Sequence, residues 1–154
     1  MSETLRKTPM DAALDEARAA AALGEVPVGA VILQRGKIIA AAGNRTIIDR
    51  DPTAHAEILA IRSACATLGS ERLDDCELHV TLEPCAMCAA AISFARIRRL
   101  YWGCDDRKGG AVENGPRFFS QSTCHHAPDH AFGGFGESEA RTLLQKFFVE
   151  RRGR

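Results

Sequence analysis

The sequence predicts an α/β protein in which a mixed sheet carries helices on both faces, and three observations lead there. Short apolar runs alternate with longer segments of helical periodicity, glycine or proline punctuates most junctions, and the elements read α-β-β-α-β-α-β-(β)-α. Residues 10–23 are alanine-rich, with Leu14, Ala17 and Ala21 at helical spacing, and Gly24 ends the run. Residues 26–33 and 37–42 are two apolar runs joined by Gln34-Arg35-Gly36, which reads as a hairpin. After a polar stretch ending in Pro52, a helix is expected over 53–68, capped by the Thr53 hydroxyl and closed by Gly69. Residues 77–82 alternate as a short strand, 85–94 read as a small-residue helix buried nearly all round, and 98–103 form another strand. Residues 105–129 are irregular and longer than structureless connections usually run, which marks them as functional or locally structured. A weak edge strand over 131–136 and a final amphipathic helix over about 137–151, with Leu143, Leu144, Phe147 and Phe148 on one face, complete the chain.

Length and composition bound the rest. At 154 residues, 45% hydrophobic and 26% charged, the chain reads as one globular domain spanning 1–154. Twenty basic residues balance twenty acidic ones, which disfavours a protein living on non-specific phosphate attraction alone. Two local basic clusters stand out. Arg96, Arg98 and Arg99 precede one strand, and Arg141, Lys146, Arg151, Arg152 and Arg154 face a single acid, Glu150, in the tail. Cations at a helix C-terminus are also what the macrodipole favours without any partner. The N-terminal residues carry Glu3, Asp11, Asp15 and Glu16 and no apolar core of a secretory signal, and nothing approaches a membrane span. Six cysteines without an export signal therefore read as reduced thiols or metal ligands in a cytoplasmic protein.

The chemistry is concentrated in two motifs, His55-Ala56-Glu57 and Pro84-Cys85-Ala86-Met87-Cys88. Two thiolates and an imidazole suit zinc (Zn2+), and three protein ligands leave a tetrahedral ion one open position, the mark of a catalytic site. The pattern H-x-E…P-C-x-x-C is known for zinc-dependent nucleobase deaminases. Cys85 and Cys88, at i and i+3 of a helix start, share a face where the terminus favours thiolate. His55 and Glu57, at i and i+2, would stand about 200° apart on an ideal helix, so His55 is expected to bind and Glu57 to stand beside the open position. There Glu57 can take a proton from an acidified water and return it to a departing amine. A structural site would need a fourth ligand, for which Cys124, His125 or His126 are the candidates. With His130 that run could instead hold a second metal, or simply be the polar lining of a loop. Cys65, Cys76 and Cys104 read as small buried hydrophobes.

Beyond these motifs, Glu25-Val26-Pro27-Val28-Gly29-Ala30-Val31, Gly43-Asn44-Arg45, Asp51-Pro52-Thr53-Ala54-His55-Ala56-Glu57 and Val80-Thr81-Leu82-Glu83-Pro84-Cys85 run through residues 10–111 without an evident gap. On these blocks the chain resembles the bacterial tRNA-specific adenosine deaminases, a branch of the cytidine-deaminase superfamily that makes inosine from the wobble adenosine of an anticodon. The resemblance implies a three-layer cytidine-deaminase-like fold on a five-stranded mixed sheet, a homodimer, and zinc on His55, Cys85 and Cys88. It implies Glu57 as the proton shuttle, Asn44 hydrogen-bonded to the nucleoside, and Val28 with Ala30 lining the base pocket. Asp106 and Lys108 would meet nucleotides flanking the target, and the last helix, with Phe148, Arg151 and Arg152, would approach the stem of a tRNA anticodon stem-loop. The chain departs from the resembling family at Gly109-Gly110, where Thr-Gly is usual, and in a longer stretch from Glu113 to Ser120. There Phe118 and Phe119 either stack on a base or pin the loop to the core or a dimer interface. With an altered loop and no net charge, the alternative is deamination of a free nucleobase or nucleoside, of the cytosine or guanine type, by the same zinc.

Overall fold

The computed structural model describes residues 7–152. Arg154 of the basic tail lies outside them, as does the side chain of Arg152. Four helices flank a five-stranded sheet: α1 (Pro9–Ala22), β1 (Gly29–Gln34), β2 (Lys37–Gly43), α2 (Ala56–Leu68), β3 (Cys76–Leu82), α3 (Ala86–Ala95), β4 (Arg99–Cys104), β5 (His130–Phe132) and α4 (Glu137–Arg152). The strand order is β2-β1-β3-β4-β5. The first two pairings are antiparallel, while β3 with β4 and β4 with β5 are parallel, so the sheet is mixed as expected.

Strand β1 is buried on both sides, and its alternation builds two cores. Ala30 and Ile32 join Leu78, Val80, Leu100 and Trp102 on the face covered by α2 and α3. Val31 and Leu33 join Met10, Leu14 and Ala140 on the face covered by α1 and α4. Helix α1 lies so close to β1 that a Cβ on Gly29 would fall 2.0 Å from the Ala13 carbonyl oxygen. The hairpin turn is Arg35-Gly36, both at positive φ (51° and 79°), the two-residue form whose twist matches its strands.

Several boundaries differ from those read in the sequence, each for a local reason. Residues 26–28 precede the strand, which begins at Gly29. Helix α1 starts at a capping box, Thr8 with Asp11, that its alanine pattern obscured. Helix α2 begins at Ala56 with His55 as its N-cap, two residues past Thr53, whose hydroxyl donates to Asp51 Oδ1 at 2.7 Å instead of meeting the helix. Helix α3 is not buried all round: Phe94 is 64% exposed and lies against His125, with ring centroids 5.0 Å apart. The expected edge strand exists but is only His130–Phe132, paired with the first half of β4.

Candidate zinc centre and substrate cavity

Helices α2 and α3 begin with the two residues that matter most. His55 is the N-cap of α2 and Cys85 the N-cap of α3, both in extended conformation, and neither side chain caps its helix. Their donor atoms are therefore free to face each other. Cys88, one turn into α3 and fully buried, completes the group: His55 Nδ1 lies 3.6 Å from Cys85 Sγ and 3.5 Å from Cys88 Sγ. The three ligand atoms all lie within 4.8 Å of one another, and among the described residues no other His, Cys, Asp or Glu joins them. This donor set of one nitrogen and two sulfurs fits zinc with a position left over. The helical-wheel premise for His55 and Glu57 does not hold, since His55 stands outside the helix. Glu57 nevertheless remains outside the ligand group and lines the same cavity.

The electrostatics of the group set its thiols apart. The Cys88 thiol, then His55, hold Cys85 down to about 4, so that sulfur is a thiolate. Its bond with Cys85 and its burial push the Cys88 thiol up. Glu57 is 4% exposed, and burial lifts its carboxyl to about 7.

A cavity of about 340 Å³ opens on this group. His55, Glu57 and Cys85 form its floor, Val28, Asn44 and Thr46 one wall, and Leu82, Glu83, Asp106 and Gly109 the other. Val28, Asn44 and Asp106 thus meet in the cavity. Ala30 does not: it is fully buried on the core side of β1 and is absent from the lining. Lys108 lines an adjoining groove of about 1050 Å³ that shares Val26, Leu82, Asp106 and Gly109 with the cavity and carries Arg107, Arg141 and Phe148 on its sides. Arg151 sits with its guanidinium 5.1 Å from the Phe147 ring centroid. Of the other basic cluster, Arg98 is paired with Asp129 at 3.0 Å.

The irregular segment is held down by ordinary contacts. Phe119 packs against the larger core, and Phe118 meets it edge-on with centroids 6.0 Å apart. Cys124 Sγ donates to the His126 carbonyl and lies 3.5 Å from Ser93 Oγ, which accepts from the His126 N–H, so this run ties the loop to α3 and supplies no fourth ligand. Cys76 and Cys104 are buried, and Cys65 partly so.

Glu25 and Glu83 escaped notice in the sequence. Both are buried, at 0% and 2% exposure, and their carboxylates gather N–H groups from the two cavity walls. The one available signal was a charged residue inside an apolar run beside proline, in Glu25-Val26-Pro27 and Leu82-Glu83-Pro84.

A cytidine-deaminase-like sheet with a His-Cys-Cys group at paired helix starts and a buried glutamate beside it defines the zinc-dependent deaminases. The family model described as the cytidine and deoxycytidylate deaminase zinc-binding region matches residues 3–104. A tRNA-specific adenosine deaminase of Agrobacterium fabrum is 62% identical over 93% of this chain and 93% of its own. A solved structure from studies of A-to-I editing by tRNA:A34 deaminases at the wobble position is 61% identical, covers 90% of this chain and 100% of its own, and superposes with a TM-score of 0.88. A guanine deaminase from Nitrosomonas europaea is more distant, 27% identical with a TM-score of 0.73 over 90% of this chain and 82% of its own. The chain belongs to the tRNA-specific adenosine deaminase family within the zinc-binding cytidine and deoxycytidylate deaminases.

Proposed function

We infer that the chain is a hydrolytic deaminase of the wobble adenosine in a tRNA anticodon loop, in which water replaces the C6 amine to give inosine and ammonia. The observation that carries the reading is the meeting of His55, Cys85 and Cys88 at one end of a cavity that also holds the buried Glu57. When bound there, zinc supplies the Lewis acidity that brings deprotonation of a water into the neutral range. Glu57 accepts that proton on a carboxylate oxygen and delivers it to the amine nitrogen, so that the leaving group departs neutral. Asn44 hydrogen-bonds the nucleoside, Val28 packs on the base, and Ala30 serves only as core behind it. The base must be flipped out to reach the floor, which an anticodon loop with splayed bases permits at low cost.

Residues 1–154 act as one deaminase domain in this reading. Asp106 and Lys108 meet the flanking nucleotides, and Phe148, Arg151 and Arg152 approach the stem; the groove beside the cavity, with its cations and one aromatic ring, supports that placement. The open face of α3, with Phe94 exposed, supports a homodimer. No helix among the described residues is long and apolar enough to cross a membrane. A tRNA substrate supports the reading of a cytoplasmic enzyme.

The test is inosine formation in an anticodon stem-loop RNA incubated with zinc-loaded protein, with adenosine, cytidine, cytosine and guanine as parallel substrates. Inosine in the RNA, with the free compounds untouched, is expected. Ammonia from a free base with the RNA unchanged would move the substrate to the small-molecule branch while leaving the zinc chemistry in place.

A further inference from the structure

Two buried carboxylates stand outside the chemistry, Glu25 behind one wall of the cavity and Glu83 within the other. Among the described residues neither Glu25 nor Glu83 lies within ion-pair distance of a lysine or arginine. Their partners are instead loop N–H groups. Glu25 Oε2 accepts from the backbone N–H of Ile48 at 2.8 Å and of Ile47 at 3.1 Å, and Oε1 accepts from Asn44 Nδ2 at 3.4 Å. Glu83 Oε2 accepts from the N–H of Val112, Glu113 and Asn114 at 3.1, 2.9 and 3.1 Å. Its Oε1 accepts from the Asp106 N–H at 2.9 Å and from Asn114 Nδ2 at 2.6 Å.

Only a carboxylate can accept from all of these donors at once, since an amide of the same shape turns an N–H₂ group toward some of them. Isolated loops do not hold a wall in register; buried charge-assisted hydrogen bonds do. Asn44 Nδ2 donates to Glu25 Oε1 and to Thr46 Oγ1, each at 3.4 Å, and together these turn Asn44 Oδ1 away from Glu25 as an acceptor in a residue that lines the cavity. On the opposite side, Gly110 is packed so tightly that a Cβ would fall 2.5 Å from the Glu83 carboxyl carbon, so the segment from Asp106 to Asn114 is wrapped directly around this group. Glycine at 110 is what that close approach requires.

We propose that Glu25 and Glu83 are the positioning residues of the substrate cavity, Glu25 setting the amide of Asn44 and Glu83 setting the loop that carries Asp106. The inference rests on the deaminase reading for which substrate meets those walls, but not for the hydrogen bonds themselves. A group that acts through another loses its effect when the other is removed, whereas one that merely supports the fold does not.

The test is a pair of double-mutant cycles, E25Q with N44A and E83Q with D106A, measured as kcat/KM on whichever substrate the wild-type enzyme turns over. Zinc content and melting temperature are followed for every variant. E25Q and E83Q are each expected to lower kcat/KM by about tenfold in the wild-type background, the scale of one charge-assisted hydrogen bond lost. They should cost less than about twofold when Asn44 or Asp106 is already alanine, with zinc retained throughout. Equal losses in both backgrounds would overturn the proposal, as would a glutamine variant that no longer binds zinc or melts cooperatively. Wild-type protein active on a free base but not on RNA would sink the tRNA reading while the cycles still judged the positioning roles.

Discussion

At the floor of the cavity, His55 and Cys85 are fixed by the starts of two helices whose apolar faces belong to the main core. At its walls, Asn44 and Asp106 sit on loops tied to buried carboxylates, and in the adjoining groove Phe148 lies 44% exposed on the last helix. The floor therefore inherits its precision from packing, which is cooperative and hard to disturb locally. The walls inherit theirs from a few hydrogen bonds, which can be altered one at a time. Reaction chemistry and substrate choice thus rest on different kinds of support, joined where the Ala111 N–H bonds the Pro84 carbonyl beside Cys85.

The sharpest break is at Glu57. E57Q keeps the side chain's shape but cannot carry the proton, and kcat should fall on the order of a thousandfold, within the usual range for a positioned acid–base group. Because Glu57 lies outside the ligand group, zinc content measured by mass spectrometry should be unchanged. A variant within tenfold of wild type would remove Glu57 from the mechanism.

Stripping the metal tests the same floor through stability. With free zinc a hundredfold above its dissociation constant, binding stabilises the folded state by about 2.7 kcal/mol. At roughly 2–4 °C per kcal/mol for a protein of this size, chelation should lower the melting temperature by about 5–10 °C and abolish turnover. Readdition of zinc should restore both. An unchanged melting curve would mean that the trio of His55, Cys85 and Cys88 does not hold the ion in the folded protein.

The walls answer differently. Phe148→Ala removes an exposed ring beside a cationic groove. Loss of one apolar contact with the stem, about 1 kcal/mol, should raise KM for the stem-loop about fivefold with kcat unchanged. A fall in kcat with constant KM would place Phe148 in the chemistry and erase the separation of floor from wall.

These two supports also explain what the sequence disclosed. The grouping of His55, Cys85 and Cys88, with Glu57 in the same cavity, was legible because metal chemistry restricts residue type and spacing, and helix starts convert spacing into geometry. The order of elements was legible because periodicity and glycine punctuation are local. The roles of Glu25 and Glu83 were not, since each depends on partners 19 to 31 residues away that no local pattern connects. Ala30 shows the same limit from the other side: it borders the same core as Val28 two residues earlier, and only how far along the strand the cavity reaches separates the two. The Thr53 cap failed for a similar reason: Asp51 Oδ1 takes both the N–H and the hydroxyl of Thr53 into a local turn, and the helix starts only after His55.

The smallest effect separates fold from function altogether. Thr8 Oγ1 accepts from the Asp11 N–H at 3.1 Å, and the Asp11 carboxylate accepts from the Thr8 N–H at 3.0 Å, closing the first turn of α1. That helix packs on the sheet face opposite the one covered by α2 and α3. Thr8→Ala should cost about 1 kcal/mol, and so lower the melting temperature by roughly 2–4 °C. Turnover and KM should stay at their wild-type values, because neither floor nor wall takes its position from that cap. If kcat/KM fell in step with stability, the layer of α1 would have to transmit strain through β1 to the zinc floor. The division between a packed floor and hydrogen-bonded walls would then give way to a single cooperative unit.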